Sequence, residues 1–233
     1  MWEALALGFR PPTGETVARL MADEGARALA EAAAVLDAAD GTTLEPLVRA
    51  LAVEPPPTLE ALGASYGGFF GHTARGEAPP YETEYGEDSL FQPQREMSDL
   101  GAFFRAFGLR VNADARERPD HIACECEFLL VLARKEARAL SLGDEPMREA
   151  TCRAARLFLH DHLGRWAPAL GAKLARLDPD GFHGALGRLL AAFVAAECRH
   201  AGVAAGPEFL RLRSTAPDDT PMACGPLAST PEA

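Results

Sequence analysis

No apolar run in this chain approaches the roughly twenty residues that a membrane-spanning helix needs. Its first residues, Met1-Trp2-Glu3-Ala4-Leu5, lack the basic and apolar regions of a secretory leader. Together these absences set the expectation of a cytoplasmic protein that does not insert in a membrane. Positive charge is also short: Lys plus Arg number 23 against 34 Asp plus Glu, a formal net charge of −11. Sequence-independent nucleic-acid binding displaces counterions with cationic side chains, so this balance argues against it. It suits a basic partner, or solubility alone. Five cysteines, an odd number at uneven spacings, form no disulfide framework and fit a reducing compartment.

Strand-length alternation of apolar and polar residues is missing too, whereas helical periodicity is nearly continuous. The pattern predicts helices over Trp2–Phe9 and from Thr13 or Gly14 through Leu36. A short helix follows over Thr43–Leu51, then one capped by Thr58. From Thr73 to Gln92 the pattern fails, leaving a long connection of the kind that is commonly functional. Helical order returns over Pro93–Gly108, Ile122–Leu140 and from Pro146 to about Leu163. It continues over Trp166–Leu177 and from Asp178 to between His200 and Gly202. The 48% apolar content is globular, and no linker divides the pattern. The expectation is an all-α bundle of about eight to ten helices, a single domain over 1–213. Residues 214–233, rich in Pro, Ser, Thr and Gly, read as a mobile tail.

Cofactor machinery is equally scarce. Cys124/Cys126, His160/His162 and Cys198/His200 are pairs two positions apart on predicted helices. Two helical positions turn by about 200°, so the members face opposite ways and cannot chelate one ion as adjacent ligands. No metal and no other cofactor is expected. There is no G-x-x-x-x-G-K-[ST], no G-x-G-x-x-G after a strand, and no serine in a nucleophile elbow. Gly67-Gly68 and the glycines at 184 and 187 lie within helical patterns and read as packing positions. Cys224 lacks a neighbouring base or positive field.

Two sites stand out. The first is Pro79-Pro80-Tyr81-Glu82-Thr83-Glu84-Tyr85-Gly86, a rigid entry followed by interleaved tyrosines and carboxylates. Tyrosine offers apolar area at low entropic cost and glutamate pairs with Arg or Lys, so the segment suits a peptide-gripping surface. Composition alone favours the other reading, an acidic loop whose tyrosines pack back onto the bundle. The second is Glu117-Arg118-Pro119-Asp120-His121, at the start of the Ile122 helix. Proline is tolerated in a first turn, and Asp120 suits the positive end of the helix dipole. His121 does not suit it as a cation, so a neutral or carboxylate-paired ring is expected. Glu125, four positions on, is close enough to share a hydrogen bond with His121. The alternative is a capped helix start in which both side chains are structural.

These residues resemble the TorD/DmsD/NarJ group of chaperones for molybdopterin enzymes of the dimethyl sulfoxide reductase superfamily. Glu117-Arg118-Pro119-Asp120-His121 is similar to that family's E-x-P-D-H signature. Tyr81-Glu82-Thr83-Glu84-Tyr85, Leu90-Phe91 and the run from Met97 through Phe103-Phe104 to Leu109 reinforce the likeness. The tyrosine stretch especially resembles the branch serving type II reductases and dehydrogenases. The likeness covers most of residues 2–202, with an N-terminus starting inside the family's first helix.

The resemblance implies a TorD-like helical bundle, as monomer or homodimer, and a non-enzymatic role. That role is to bind the twin-arginine leader or the apo-form of a molybdopterin reductase or dehydrogenase subunit. Export would thereby be delayed until the cofactor is inserted. Carried over by position, Pro119, Asp120 and His121 would lie beside the peptide groove, and Tyr81, Tyr85, Leu90 and Phe91 would line it. Charge logic adds Glu82, Glu84 and Glu125 as partners for arginine. Two other readings stay open: a small all-α enzyme using Asp120 and His121 as an acid–base pair, and a structural partner in a reductase complex.

Overall fold

The computed structural model describes residues 1–52, 57–71, 75–88, 91–110 and 117–214. Among them are ten α-helices, with isolated bridges but no strand. They are α1 (Trp2–Gly8), α2 (Gly14–Leu20), α3 (Asp23–Asp40), α4 (Glu45–Arg49), α5 (Leu59–Phe70), α6 (Gln92–Ala106), α7 (Ile122–Leu142), α8 (Glu145–Asp161), α9 (Leu163–Leu177) and α10 (Phe182–Ala201). The all-α expectation holds. No helix among the described residues is long and apolar enough to cross a membrane.

Local chemistry accounts for most boundaries. Thr58 Oγ1 accepts from the Ala61 N–H at 3.1 Å, and Asp144 caps α8 through the Met147 N–H at 3.1 Å, with Pro146 in the first turn. One predicted helix is two: Ala22 adopts extended backbone (φ −73, ψ 149) between α2 and α3. The apolar face continues across that break, so periodicity alone does not reveal it. Leu177 ends α9 as predicted, but the helix begins at Leu163 rather than Trp166 and holds Pro168 inside it. Asp178, placed by sequence at the start of α10, instead caps it from outside, accepting from the His183 and Gly184 N–H groups at 3.0 and 3.2 Å.

The core lies where α7, α8, α9 and α10 meet, with α1 laid on α7. An aromatic cluster joins α6 to this centre. Phe103 lies edge-on to Phe158 at 5.3 Å, and Phe128 meets Phe158 at 4.6 Å and Phe104 at 5.3 Å. On the α9–α10 crossing, a Cβ at Gly187 would meet the Gly171 carbonyl at 2.5 Å. The predicted packing role of Gly187 therefore holds, whereas that of Gly68 does not, because a Cβ there would meet no neighbour. Between α5 and α6, residues 75–88 lie across one end of α7 and α9, held there by the contacts described next. Of the predicted tail, residues 215–233 lie outside the described residues.

Candidate functional site

The tyrosine loop and the Pro119 turn, some forty positions apart in sequence, are joined edge to edge. The Glu82 N–H donates to the Asp120 carbonyl at 2.9 Å and the Ile122 N–H to the Pro80 carbonyl at 2.8 Å, making an antiparallel bridge of Tyr81 with His121. Two prolines keep residues 79–80 extended and so present the Pro80 carbonyl to that edge. Residues 82–84 then form one 3₁₀ turn, which aims Glu82 and Thr83 inward.

Asp120 is fully buried and engaged. It accepts from Thr83 Oγ1 at 2.7 Å and from Arg118 Nε and Nη2 at 3.0 and 2.7 Å. Arg118 also sits over the Tyr81 ring, 4.4 Å from its centroid, a cation–π arrangement at a half-open site. The Tyr81 hydroxyl donates to Glu117 at 3.2 Å, and burial with that nearby negative charge pushes its pKa up to about 12.

His121 caps α7 with its side chain: Nδ1 accepts from the Ala123 N–H at 3.1 Å. An acceptor at Nδ1 leaves the ring proton on Nε2, so the neutral ring expected from sequence is the one that fits here. Burial, aided by the charges of Arg10 and Arg118, lowers its pKa to about 3. Its Nε2 lies 3.9 Å from Glu117, one turn back. The His121–Glu125 hydrogen bond that the spacing allows is not among its contacts. Glu125 instead accepts from Trp166 Nε1 at 3.3 Å, and its other oxygen is buried without a partner. Burial and the charge of Glu82 raise the Glu125 pKa well above the carboxylate range.

Glu82 anchors a buried ionic chain. His162 Nδ1 lies 2.9 Å from one of its oxygens and Arg165 donates to the other at 3.2 Å. Burial nonetheless raises its pKa, the His162 contact opposing that. Arg165 also donates to Glu96 at 3.0 Å, and Arg213 clamps Glu96 through both its oxygens at 2.8 and 3.0 Å. Burial pushes Glu96 up, but the Arg213 and Arg165 hydrogen bonds win and hold its carboxyl below the usual range.

The two faces of the loop thus differ. Glu82, Tyr85, Asp120, His121 and Glu125 are buried, whereas Tyr81, Glu84 and Pro119 are half-buried. Tyr85 stacks tilted on Trp166 at 5.2 Å, and Glu84 pairs with Arg75 at 2.9 Å. Phe91 stands apart from this cluster, 80% exposed at the start of α6, and Leu90 lies outside the described residues. Phe91 borders an open groove of about 810 Å³ between α6 and the α8–α9 corner, with Phe103, Glu96, Asp99, His162 and Arg165. A second, more apolar pocket of about 530 Å³ opens beside His121, lined by Phe104, Leu109, Phe128 and Val131.

Arg165, Glu96 and Arg213 escape the sequence reading, in which His162 figures only as a candidate metal ligand. His162-x-x-Arg165 is a one-turn pair, but nothing local marks it as facing a carboxylate eighty positions away. Among the described residues no group of three His, Cys, Asp or Glu side chains is arranged to hold a metal ion.

The family model described as nitrate reductase delta subunit matches residues 33–172, a span containing both the tyrosine loop and the Pro119 turn. Among curated proteins, the chaperone protein TorD of Photobacterium profundum is 31% identical over 135 residues, covering 57% of this chain and 60% of its own. The chlorate reductase assembly chaperone protein of Ideonella dechloratans is 35% identical over 130 residues, 52% of this chain and 62% of its own. The selenate reductase assembly chaperone protein of Thauera selenatis is 35% identical over 134 residues, 54% and 64% respectively. The chain thus spans about three fifths of the length of these relatives. No solved structure matches it significantly.

Proposed function

The chain belongs to the nitrate reductase delta subunit family, and we propose that it is a system-specific chaperone for the catalytic subunit of a molybdopterin oxidoreductase. In this reading it binds the subunit's twin-arginine leader, or a neighbouring part of the apo-enzyme, in the cytoplasm before export. It releases the client once the cofactor is in place. The observation that carries the reading is the match to relatives named as assembly chaperones, two of them for chlorate and selenate reductases. The similarity to those two favours a client of the type II reductase branch.

The geometry suits such a task. A leader has a basic segment followed by an apolar one. The groove beside Phe91 is lined by apolar Ala102, Phe103 and Ala106, by the carboxylates of Glu96, Asp99 and Asp161, and by Arg95 and Arg165. An apolar segment folding into a helix would lie against the apolar side chains with its arginines toward the carboxylates. Within the predicted site the roles divide. Tyr81, Glu84, Phe91 and Pro119 keep surface for a client, while Glu82, Tyr85, Asp120, His121 and Glu125 hold the loop and turn in shape. Asp120 and His121 bond to other partners rather than to each other, which supports recognition over acid–base chemistry.

Calorimetry against the twin-arginine leader of a molybdopterin reductase catalytic subunit tests this. Binding is expected to weaken as salt rises and to fall about tenfold or more when both arginines become alanine. Absence of heat with both leader and apo-enzyme would sink the chaperone reading.

A further inference from the structure

The segment after α10 returns across the tyrosine loop as an extended strap. Its anchor is Gly206, whose N–H donates to the Gly164 carbonyl at 2.8 Å. That carbonyl is free because its helical partner would be the N–H of Pro168, which does not exist. Only glycine fits at 206, since a Cβ there would meet the Arg165 carbonyl at 2.0 Å.

Beyond the anchor the strap pairs with the loop as a short β-addition. The Gly86 N–H donates to the Arg211 carbonyl at 2.9 Å and the Arg213 N–H to the Glu84 carbonyl at 2.8 Å, bridging Leu212 to Tyr85. The Arg213 guanidinium enters a slot built for its shape. It forks onto Glu96, and donates to the Thr83 and Glu87 carbonyls at 2.8 and 3.1 Å. Gly86 makes this approach possible: its φ is +111, and a Cβ would lie 3.3 Å from Arg213 Nη2.

We propose that residues 207–214 are an autoinhibitory strap, a stand-in within the chain for an extended, arginine-bearing peptide that displaces them from the Glu96 slot. Two features carry this. The strap is held by main-chain pairing, by its own Arg213 guanidinium, and by Arg75 and Asp88, which bond the Arg213 carbonyl at 2.6 Å and the Ser214 N–H at 2.8 Å. All but the guanidinium grip backbone, so an extended segment with arginine in register would reproduce them. Its apolar side chains are only partly engaged: Leu210 and Leu212 rest half-buried against the core, and Phe209 is 72% exposed. Glu96 is shared between the slot and the groove beside Phe91, so a peptide with arginine in the slot continues into that groove. Consecutive arginines of an extended peptide point to opposite sides, so one fills the slot and its neighbour stays at the rim. The identity of the incoming peptide as a client leader rests on the proposed function; the exchangeable slot does not.

Two measurements on the full chain decide the matter. In the first, a synthetic peptide copying residues 208–216 is titrated into wild type and Arg213→Ala. The variant is expected to bind it about tenfold or more tightly than wild type, and a copy with alanine at the Arg213 position is expected not to bind. Equal binding to both proteins, or none to the variant, overturns the slot. In the second, hydrogen exchange of wild type is followed with the twin-arginine leader. The Arg213 amide is expected to exchange about tenfold or more faster while Gly86 stays protected. An unchanged or slower Arg213 amide in the leader-bound protein overturns displacement. A leader that does not bind at all counts against the proposed function, and the copy-peptide titration still judges the slot.

Discussion

His162 meets Glu82 at 2.9 Å in the interior of the protein, across eighty positions of sequence. The carboxylate is fully buried and the imidazole nearly so, 0% and 3% exposed at the side chain. The pair pins the turn of the tyrosine loop to the start of α9. That attachment makes the loop a fixed edge against which the Pro119 turn and the C-terminal strap both align.

His162→Ala removes one member and leaves the other buried with Arg165 alone. Removing one hydrogen-bond partner of a buried polar group costs about 1–3 kcal/mol. The urea midpoint is expected to drop accordingly, with amides of residues 82–86 losing exchange protection before those of α7. A midpoint shift below about 0.5 kcal/mol would show that the loop does not depend on this contact.

Glu125 gives the protein a stability that falls as pH rises. Burial, with the charge of Glu82 behind it, raises its folded pKa well above that of the unfolded chain. The folded state therefore holds a proton that the unfolded state releases above about pH 4.5, and each further unit costs up to about 1.4 kcal/mol. Glu125→Gln keeps the shape and removes the titration. Urea melts at pH 5 and pH 8 are expected to show the variant gaining on wild type with rising pH. A difference that is flat between the two pH values contradicts this account.

His121 acts in the opposite direction. Its folded pKa of about 3 lies below the usual histidine value, because burial excludes the charged ring. Between about pH 6.5 and 3 the unfolded chain binds a proton that the folded one refuses, so stability is lost as pH falls through that window. His121→Asn keeps a side-chain acceptor for the Ala123 N–H, asparagine being a good N-cap. The variant's stability is expected to decline less steeply in acid, by up to about 1.4 kcal/mol per pH unit. His183, held near 4, leaves a residual slope of the same sign in both proteins. Parallel acid limbs for wild type and variant would mean that His121 does not titrate on unfolding.

Much of the bundle was legible along the chain, because its signals are local. Thr58, Asp144 and Pro146 mark helix starts through chemistry confined to one turn. Periodicity over 3.6 residues identified where α6 and α7 run. It missed the break at Ala22, where the apolar face runs on while the backbone does not. The loop and the turn at Asp120-His121 were also identifiable, by composition and by resemblance. What each carboxylate does there was not: Glu82, Asp120 and Glu125 are fully buried, yet nothing in their neighbours distinguishes them from the half-open Glu84.

Sequence by itself determined the all-helical class, the positions of the helices and the stretch where regular structure gives way to a loop. Each depends on interactions within a few residues. Only the tertiary structure decided that Glu82 reaches His162, that Glu125 lies beneath Trp166 unpaired at one oxygen, and that Arg213 closes on Glu96. Those pairings join side chains separated by scores of positions. Their existence depends on which helix faces turn inward together, and no periodicity or spacing along one segment carries that information.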